Sequence, residues 1–250
     1  VRIPVDENGI LTEVLAEICS TQSIRLLYIT PHHHYPTTVT LSAERRMKLL
    51  QLADKYGFVI LEDDYDYDYH YTGSPILPLA SADTNGMVIY VGSLSKIIAP
   101  AIRIGYVVAP RNLIDELAFL RRIIDRQGDT ILEQAVAELF AEGEIKRHLK
   151  KTQRIYHQRR DYCAALLQKV DKNTLDFQIP NGGMAFWTHF SPTINLQQLA
   201  QKAQKAGLYL GNGLGYNAAN QAVNSVRMGF ASLELAEMEE AVAKLKYLLQ

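Results

Sequence analysis

Lys96 closes the run Gly92-Ser93-Leu94-Ser95-Lys96, which follows the apolar residues 87–91 directly. A lysine amine can condense with a carbonyl to give a Schiff base. Lysine is seldom buried unless it is paired or reactive, so its place at the end of an apolar run is unusual for a structural residue. Ser93 and Ser95 add small hydroxyl groups at a strand end, where an α/β sheet places its ligands. A second run, Glu62-Asp63-Asp64-Tyr65, ends the apolar residues 58–62 with carboxylates and then a phenol. Taken singly, each acid reads equally well as a turn or helix cap. Neighbours on a strand point to opposite faces, so only one of Asp63 and Asp64 can serve a given site. Arg103 lies just before the apolar residues 104–109. It is either a bidentate clamp for a phosphate or a surface charge.

The elements that must position these groups are legible in outline. Residues 23–30 and 58–62 read as buried strands, as do 87–91 and 104–109. Residues 42–56 read as a helix, with Ser42 as cap, Gly57 as stop, and Leu49, Leu50, Leu52 and Ala53 toward a core. Strands alternating with helical stretches predict a mostly parallel α/β sheet covered on both faces. Later in the chain, residues 113–124, 131–141 and 144–170 read as helices. Strands at 184–190 and 225–230, with 208–210 as a short apolar piece and helices at 195–206 and 233–249, form a smaller α+β module. The expected division is residues 1–150 and 151–250.

The 26 Lys+Arg and 27 Asp+Glu leave a net charge of -1, which excludes a generally basic nucleic-acid-binding protein. No apolar run approaches the roughly 20 residues that span a bilayer, and no signal segment opens the chain. Two cysteines, Cys19 and Cys163, cannot build a disulfide framework and suit a reducing cytoplasm. His32, His33 and His34 alternate in direction on an extended segment and lack the wider four-ligand spacing of a structural zinc site, so no metal is expected. The alternating residues 65–71 (Tyr-Asp-Tyr-Asp-Tyr-His-Tyr) suit a strand or a contact loop between subunits. The cations of residues 144–170 read as the solvated face of a long helix.

Taken together, apolar strand, Asp-Asp-Tyr, apolar strand, Ser-x-Ser-Lys and Arg-x-Gly-Tyr closely resemble the fold-type-I pyridoxal phosphate (PLP) enzymes of the class I/II aminotransferase family. The resemblance runs from about residue 4 to residue 249. Residues 30–37 (Thr-Pro-His-His-His-Tyr-Pro-Thr) and 62–66 (Glu-Asp-Asp-Tyr-Asp) are most like the MocR-type branch of the GntR-group transcriptional regulators. In that branch an aminotransferase-like domain follows a DNA-binding winged helix-turn-helix. The resemblance implies that Lys96 forms the internal aldimine with PLP, that Asp63 pairs with the pyridine nitrogen, and that Tyr65 hydrogen-bonds the ring 3-oxygen. It implies that Ser93 and Arg103 bind the phosphate and that Arg227 grips a substrate α-carboxylate. Gly182 and Gly183, before the strand with Trp187, resemble the family's entry to its small domain.

The sequence also departs from the family pattern. Tyr35, not Asn, precedes Pro36, and Thr38 stands where glycine is usual, so no Asn contact to the ring 3-oxygen is assigned. The family's large domain includes a phosphate loop and a ring-stacking aromatic upstream of the part corresponding to Val1, so the chain reads as the later part of that domain. Two functions share these residues. One is the PLP-binding effector domain of a MocR-type regulator that forms aldimines with an amino acid or amine. The other is a working aminotransferase that moves an amino group to a 2-oxo acid. The resemblance further implies a cytoplasmic homodimer, with DNA contacted only through an N-terminal domain.

Overall fold

The computed structural model describes residues 1–74, 76–216 and 221–250. The chain forms two compact units: Val1–His34, Val39–Asp68 and Gly73–Lys151 make the first, and Tyr35–Thr38, Tyr69–Thr72 and Thr152–Gln250 the second. The first unit starts with the hairpin β1 (Val5–Asp6) and β2 (Gly9–Ile10), then α1 (Thr12–Thr21) and β3 (Leu26–Ile29). It continues through α2 (Ala43–Tyr56), β4 (Val59–Asp64), a 3₁₀ turn at Leu79–Ser81, β5 (Val88–Ser93) and β6 (Gly105–Val108). The helices α3 (Arg111–Ile124) and α4 (Thr130–Ala141) follow, and α5 (Glu144–Leu167) runs on across the division between the units.

Local chemistry sets the ends of α2. Ser42 is extended, and its hydroxyl accepts the Arg45 N–H at 3.4 Å. A cap of this kind contributes about 1 kcal/mol. Gly57 ends the helix at φ 68°, a left-handed conformation that costs glycine nothing, and its N–H reaches the Ala53 carbonyl at 2.8 Å. Between these ends, Leu49, Leu52 and Ala53 are buried.

The sheet order is β3-β4-β5-β6, with β3, β4 and β5 parallel and β6 antiparallel to β5. Alternation along β3, β4 and β5 sends Leu27, Ile29, Ile60 and Val88 to one face, where they pack with Leu15 and Cys19 of α1 and Leu49 and Leu52 of α2. The expectation of a sheet covered on both faces does not hold among the described residues. On the opposite face Leu26 is 51%, Tyr28 57% and Val107 40% exposed, and Leu61, Asp63 and Val91 are half-buried. Nothing in the alternation of a strand states what packs on either side of it, so this difference was invisible in the pattern.

The second unit is built on an antiparallel sheet of β7 (Leu175–Phe177), β8 (Ala185–Phe190) and β9 (Ser225–Gly229) in that order. Its core joins Phe186, Phe190 and Val226 to Leu167 of α5, to Leu199 of α6 (Leu196–Lys205) and to Met238 of α7 (Leu235–Leu248). Residues 208–210 carry no strand. Arg160 of α5 departs from the solvated-face expectation. It is buried, donates from Nη1 to the Pro180 carbonyl at 2.9 Å, and lies 5.2 Å from the centre of the Tyr71 ring. Among the described residues no helix is long and apolar enough to cross a membrane.

Candidate functional site

The carboxyl ends of the parallel strands β4 and β5 bring the chemistry of the first unit together. The register pairs Asp63 with Val91 and Asp64 with Gly92. Paired residues share a face, so Asp63 and Ser93 lie on the open face, and Asp64 lies on the covered one. Asp63 is half-buried, and its Oδ2 accepts the Tyr28 hydroxyl at 2.7 Å. Its Oδ1 carries no protein hydrogen bond among the described residues.

Asp64 stands in a different environment. It is buried, its Oδ2 lies 2.8 Å from His32 Nδ1, and the Tyr90 hydroxyl donates to it at 3.3 Å. The His32 approach is close in distance but not aligned as a hydrogen bond. His32 Nε2 reaches the Ile76 carbonyl at 2.6 Å. Glu62, fully buried on the same face, accepts the Leu79 and Ala80 N–H groups at 2.8 and 3.0 Å. It thereby caps the 3₁₀ turn, and burial pushes its carboxyl above the usual range. Arg46 completes the network. Its buried guanidinium donates to the carbonyls of Leu41, Leu77 and Pro31, and it feels the charges of Glu62 and Asp64. The ligand-type atoms of His32, Glu62 and Asp64 lie within 4.8 Å of one another. With both Glu62 oxygens taken by N–H groups and the Arg46 guanidinium close by, we read the set as an internal polar network rather than a cation site.

Ser93, Ser95, Lys96 and Arg103 come from one tight excursion between β5 and β6. Ser93 pairs with Gly105, and the Leu94 N–H returns to the Ile104 carbonyl at 3.0 Å. Inside the excursion the Ser95 N–H reaches Ser93 Oγ at 3.3 Å, and Arg103 Nη1 donates to Ser95 Oγ at 3.4 Å. Leu94 and Ile97 anchor the loop against Val136 of α4 and Ile145 of α5. Lys96 and Arg103 are exposed. The two strands approach closely here: a Cβ on Gly105 would sit 2.8 Å from the Gly92 carbonyl oxygen.

Tyr65 follows β4, and its hydroxyl donates to the His33 carbonyl at 3.0 Å. The same histidine holds the next residue, since His33 Nδ1 lies 2.7 Å from Asp66 Oδ1 in a fully buried pair. From the sequence, Asp66 falls in the alternating run that suits a strand or a contact loop, and the histidines offer no assigned partner. An acid two positions beyond Asp64 was the one available signal.

Arg227 belongs to the second unit. It lies within β9 rather than at a strand end, opposite Trp187 of β8. Its guanidinium carbon is 5.7 Å from the Tyr35 ring centre. Among the described residues its Nε is buried with no hydrogen-bond partner. Tyr216 borders it, taking the Arg227 backbone N–H at 3.4 Å and meeting Trp187 edge-on at 5.0 Å. A planar cation with an unsatisfied N–H among aromatic rings suits a carboxylate.

Comparison with known proteins gives this geometry its context. The sequence profile of the family described as aminotransferase class I and II matches residues 10–245. YdfD, an uncharacterized HTH-type transcriptional regulator of Bacillus subtilis (strain 168), is 28% identical over 248 residues, covering 99% of this chain and 51% of that protein. Aromatic-amino-acid aminotransferase 1 of Thermococcus litoralis is 29% identical over 251 residues, covering 98% of this chain and 60% of that protein. The crystal structure of Pyrococcus horikoshii kynurenine aminotransferase in complex with PMP matches with a TM-score of 0.92 at 26% identity, over 100% of this chain and 63% of that one. The chain therefore spans about half of the regulator and less than two thirds of either enzyme.

Proposed function

The chain belongs to the aminotransferase class I and II family, and from that premise we propose that it is the PLP-binding effector domain of a MocR-type transcriptional regulator that recognises an amino acid or amine. The observation that carries the cofactor part of this reading is the contrast between two adjacent acids, and the likeness to the regulator supports the effector role. Asp64 is buried against His32 and accepts from Tyr90, whereas among the described residues Asp63 keeps one oxygen unengaged on the open face that it shares with Ser93.

The donor set fits the cofactor. Ser93, Ser95 and Arg103 offer hydroxyls and a guanidinium to a phosphate, which planar and small donors bind well. Asp63 offers a carboxylate to a protonated ring nitrogen. Lys96, three residues beyond β5, offers an exposed amine. When bound, the cofactor supplies an aldehyde carbon and a ring that withdraws electrons. Lys96 would hold that carbon and, once the incoming amine has displaced it, its freed amine would be the group placed to move a proton beside it. Tyr65, whose hydroxyl donates to the His33 carbonyl, would be the residue that hydrogen-bonds the ring 3-oxygen. Arg227 binds the carboxylate of the amino compound. The division at 1–150 and 151–250 separates a cofactor-holding part from a smaller one that carries this arginine.

As an effector domain, the chain acts by binding its amino compound more tightly in one conformational state than in another, which is the only way a ligand shifts such an equilibrium. The full-length regulator is a cytoplasmic homodimer that contacts DNA through a separate helix-turn-helix domain. A second reading, a working aminotransferase, draws support from the likeness to the Thermococcus and Pyrococcus enzymes. The same core residues serve both.

The test uses the full-length protein loaded with PLP. The visible absorbance of the bound cofactor should be lost in Lys96→Ala, and an unchanged band would overturn the lysine assignment. Amino acids are then added with a 2-oxo acid. A single spectral change without release of new oxo acid supports the effector, and repeated turnover supports the enzyme.

A further inference from the structure

Tyr28 plays no part in the chemistry described so far, yet its position is specific. β3 and β4 pair in parallel with Tyr28 beside Leu61, so Asp63, two residues further along β4, is its diagonal neighbour on the same face. A diagonal neighbour on the same face of the adjacent strand is within reach of an aromatic side chain, and the contact between the two groups is direct. The ring lies along the open face, 57% exposed, and its hydroxyl ends 2.7 Å from Asp63 Oδ2. A tyrosine whose only task was to cover the sheet would have no need to end on that one carboxylate oxygen.

We propose that Tyr28 is a positioning residue for Asp63: its hydroxyl fixes the rotation of the carboxylate and leaves Oδ1 directed at the ring nitrogen of the cofactor. The inference rests on the cofactor reading above. A half-exposed carboxylate at a strand end otherwise rotates freely about its last bond, and a single aligned donor removes that freedom. Burial and the neighbouring Asp63 carboxylate hold the Tyr28 hydroxyl well above the ordinary phenol range, so it keeps its proton and remains a donor. Phenylalanine at this position would cover the same apolar surface without that donor.

The experiment compares the full-length wild type with Tyr28→Phe, Asp63→Asn and the double variant, each titrated with PLP. Cofactor fluorescence gives the dissociation constant, and the ratio of the near-ultraviolet and visible absorbance bands gives a spectroscopic signature. Tyr28→Phe should bind about five- to tenfold more weakly, with band ratios moved part of the way toward those of Asp63→Asn. The double variant should match Asp63→Asn alone, because the hydroxyl has lost the group it orients. Unchanged affinity and bands in Tyr28→Phe, or a full additional loss in the double variant, would overturn the proposal. A wild type that binds no cofactor would overturn the cofactor reading and this inference with it, an outcome distinct from a failure of Tyr28→Phe alone. Thermal unfolding of the cofactor-free variants identifies any loss that comes from the fold instead, and a Tyr28→Phe defect explained by unfolding also counts against the proposal.

Discussion

Replacing each of the two adjacent acids by asparagine should produce opposite defects. Asp64 is 5% exposed and faces His32 at 2.8 Å and Tyr90 at 3.3 Å. Replacing one oxygen of such a buried acid by an amide nitrogen sets a donor against His32 or Tyr90 and costs about 1–3 kcal/mol of folding free energy. At roughly 2–4 °C per kcal/mol for a chain of this size, Asp64→Asn should melt several degrees lower or more. Asp63 is half-exposed and makes one hydrogen bond, to Tyr28. Asp63→Asn should therefore change stability by about 1 kcal/mol or less. Its loss should fall on cofactor binding instead: a charge-assisted hydrogen bond of about 1.5–3 kcal/mol corresponds to roughly a 10- to 150-fold weaker dissociation constant. Thermal unfolding without cofactor, and fluorescence titration with PLP at a temperature where both variants are folded, separate the two effects. An Asp64→Asn protein that is stable but cofactor-blind, beside an Asp63→Asn protein that binds normally, would refute the assignment of faces.

Two further outcomes follow from particular contacts. Gly105→Ala places a Cβ 2.8 Å from the Gly92 carbonyl oxygen, a backbone atom that cannot step aside without moving β5 against β6. Overpacking of this kind costs about 1–3 kcal/mol, and because it shifts Ser93 and Arg103, PLP affinity should fall with it; an unaltered melting temperature and affinity would show that the strand pair tolerates the change. The second concerns acid. Arg45 clasps Asp6 and holds its carboxyl down at about 2, linking the β1–β2 hairpin to α2. A depressed carboxyl stabilises the fold above its ordinary range near 3.8 and loses that effect as pH falls toward about 2. Wild type should thus be more stable than Asp6→Asn at neutral pH, with the gap closing in acid denaturation between these values. A gap that persists unchanged at the acid end would contradict the linkage.

The legible parts of the sequence were those governed by local rules. Ser42 and Gly57 marked α2 because capping and left-handed glycine act within one turn. The opposed directions of Asp63 and Asp64 followed from the pleat alone. The unread parts depend on contacts between distant segments. The Tyr28 to Asp63 bond spans 35 positions and needs a parallel register that no periodicity reveals. The His33–Asp66 pair and the burial of Arg160 against Tyr71 are of the same kind. β7 and the β1–β2 hairpin were not assigned because strands of two or three residues show no period. The open sheet face was unreadable because half-apolar strands look alike whether or not a layer covers them.

The most direct measurement concerns where the cofactor attaches. Full-length protein incubated with PLP is reduced with borohydride, digested, and its peptides are sequenced by mass spectrometry. A pyridoxyl group on Lys96 is the expected result. The same group on another lysine, or on none while the protein is folded, would contradict the central assignment.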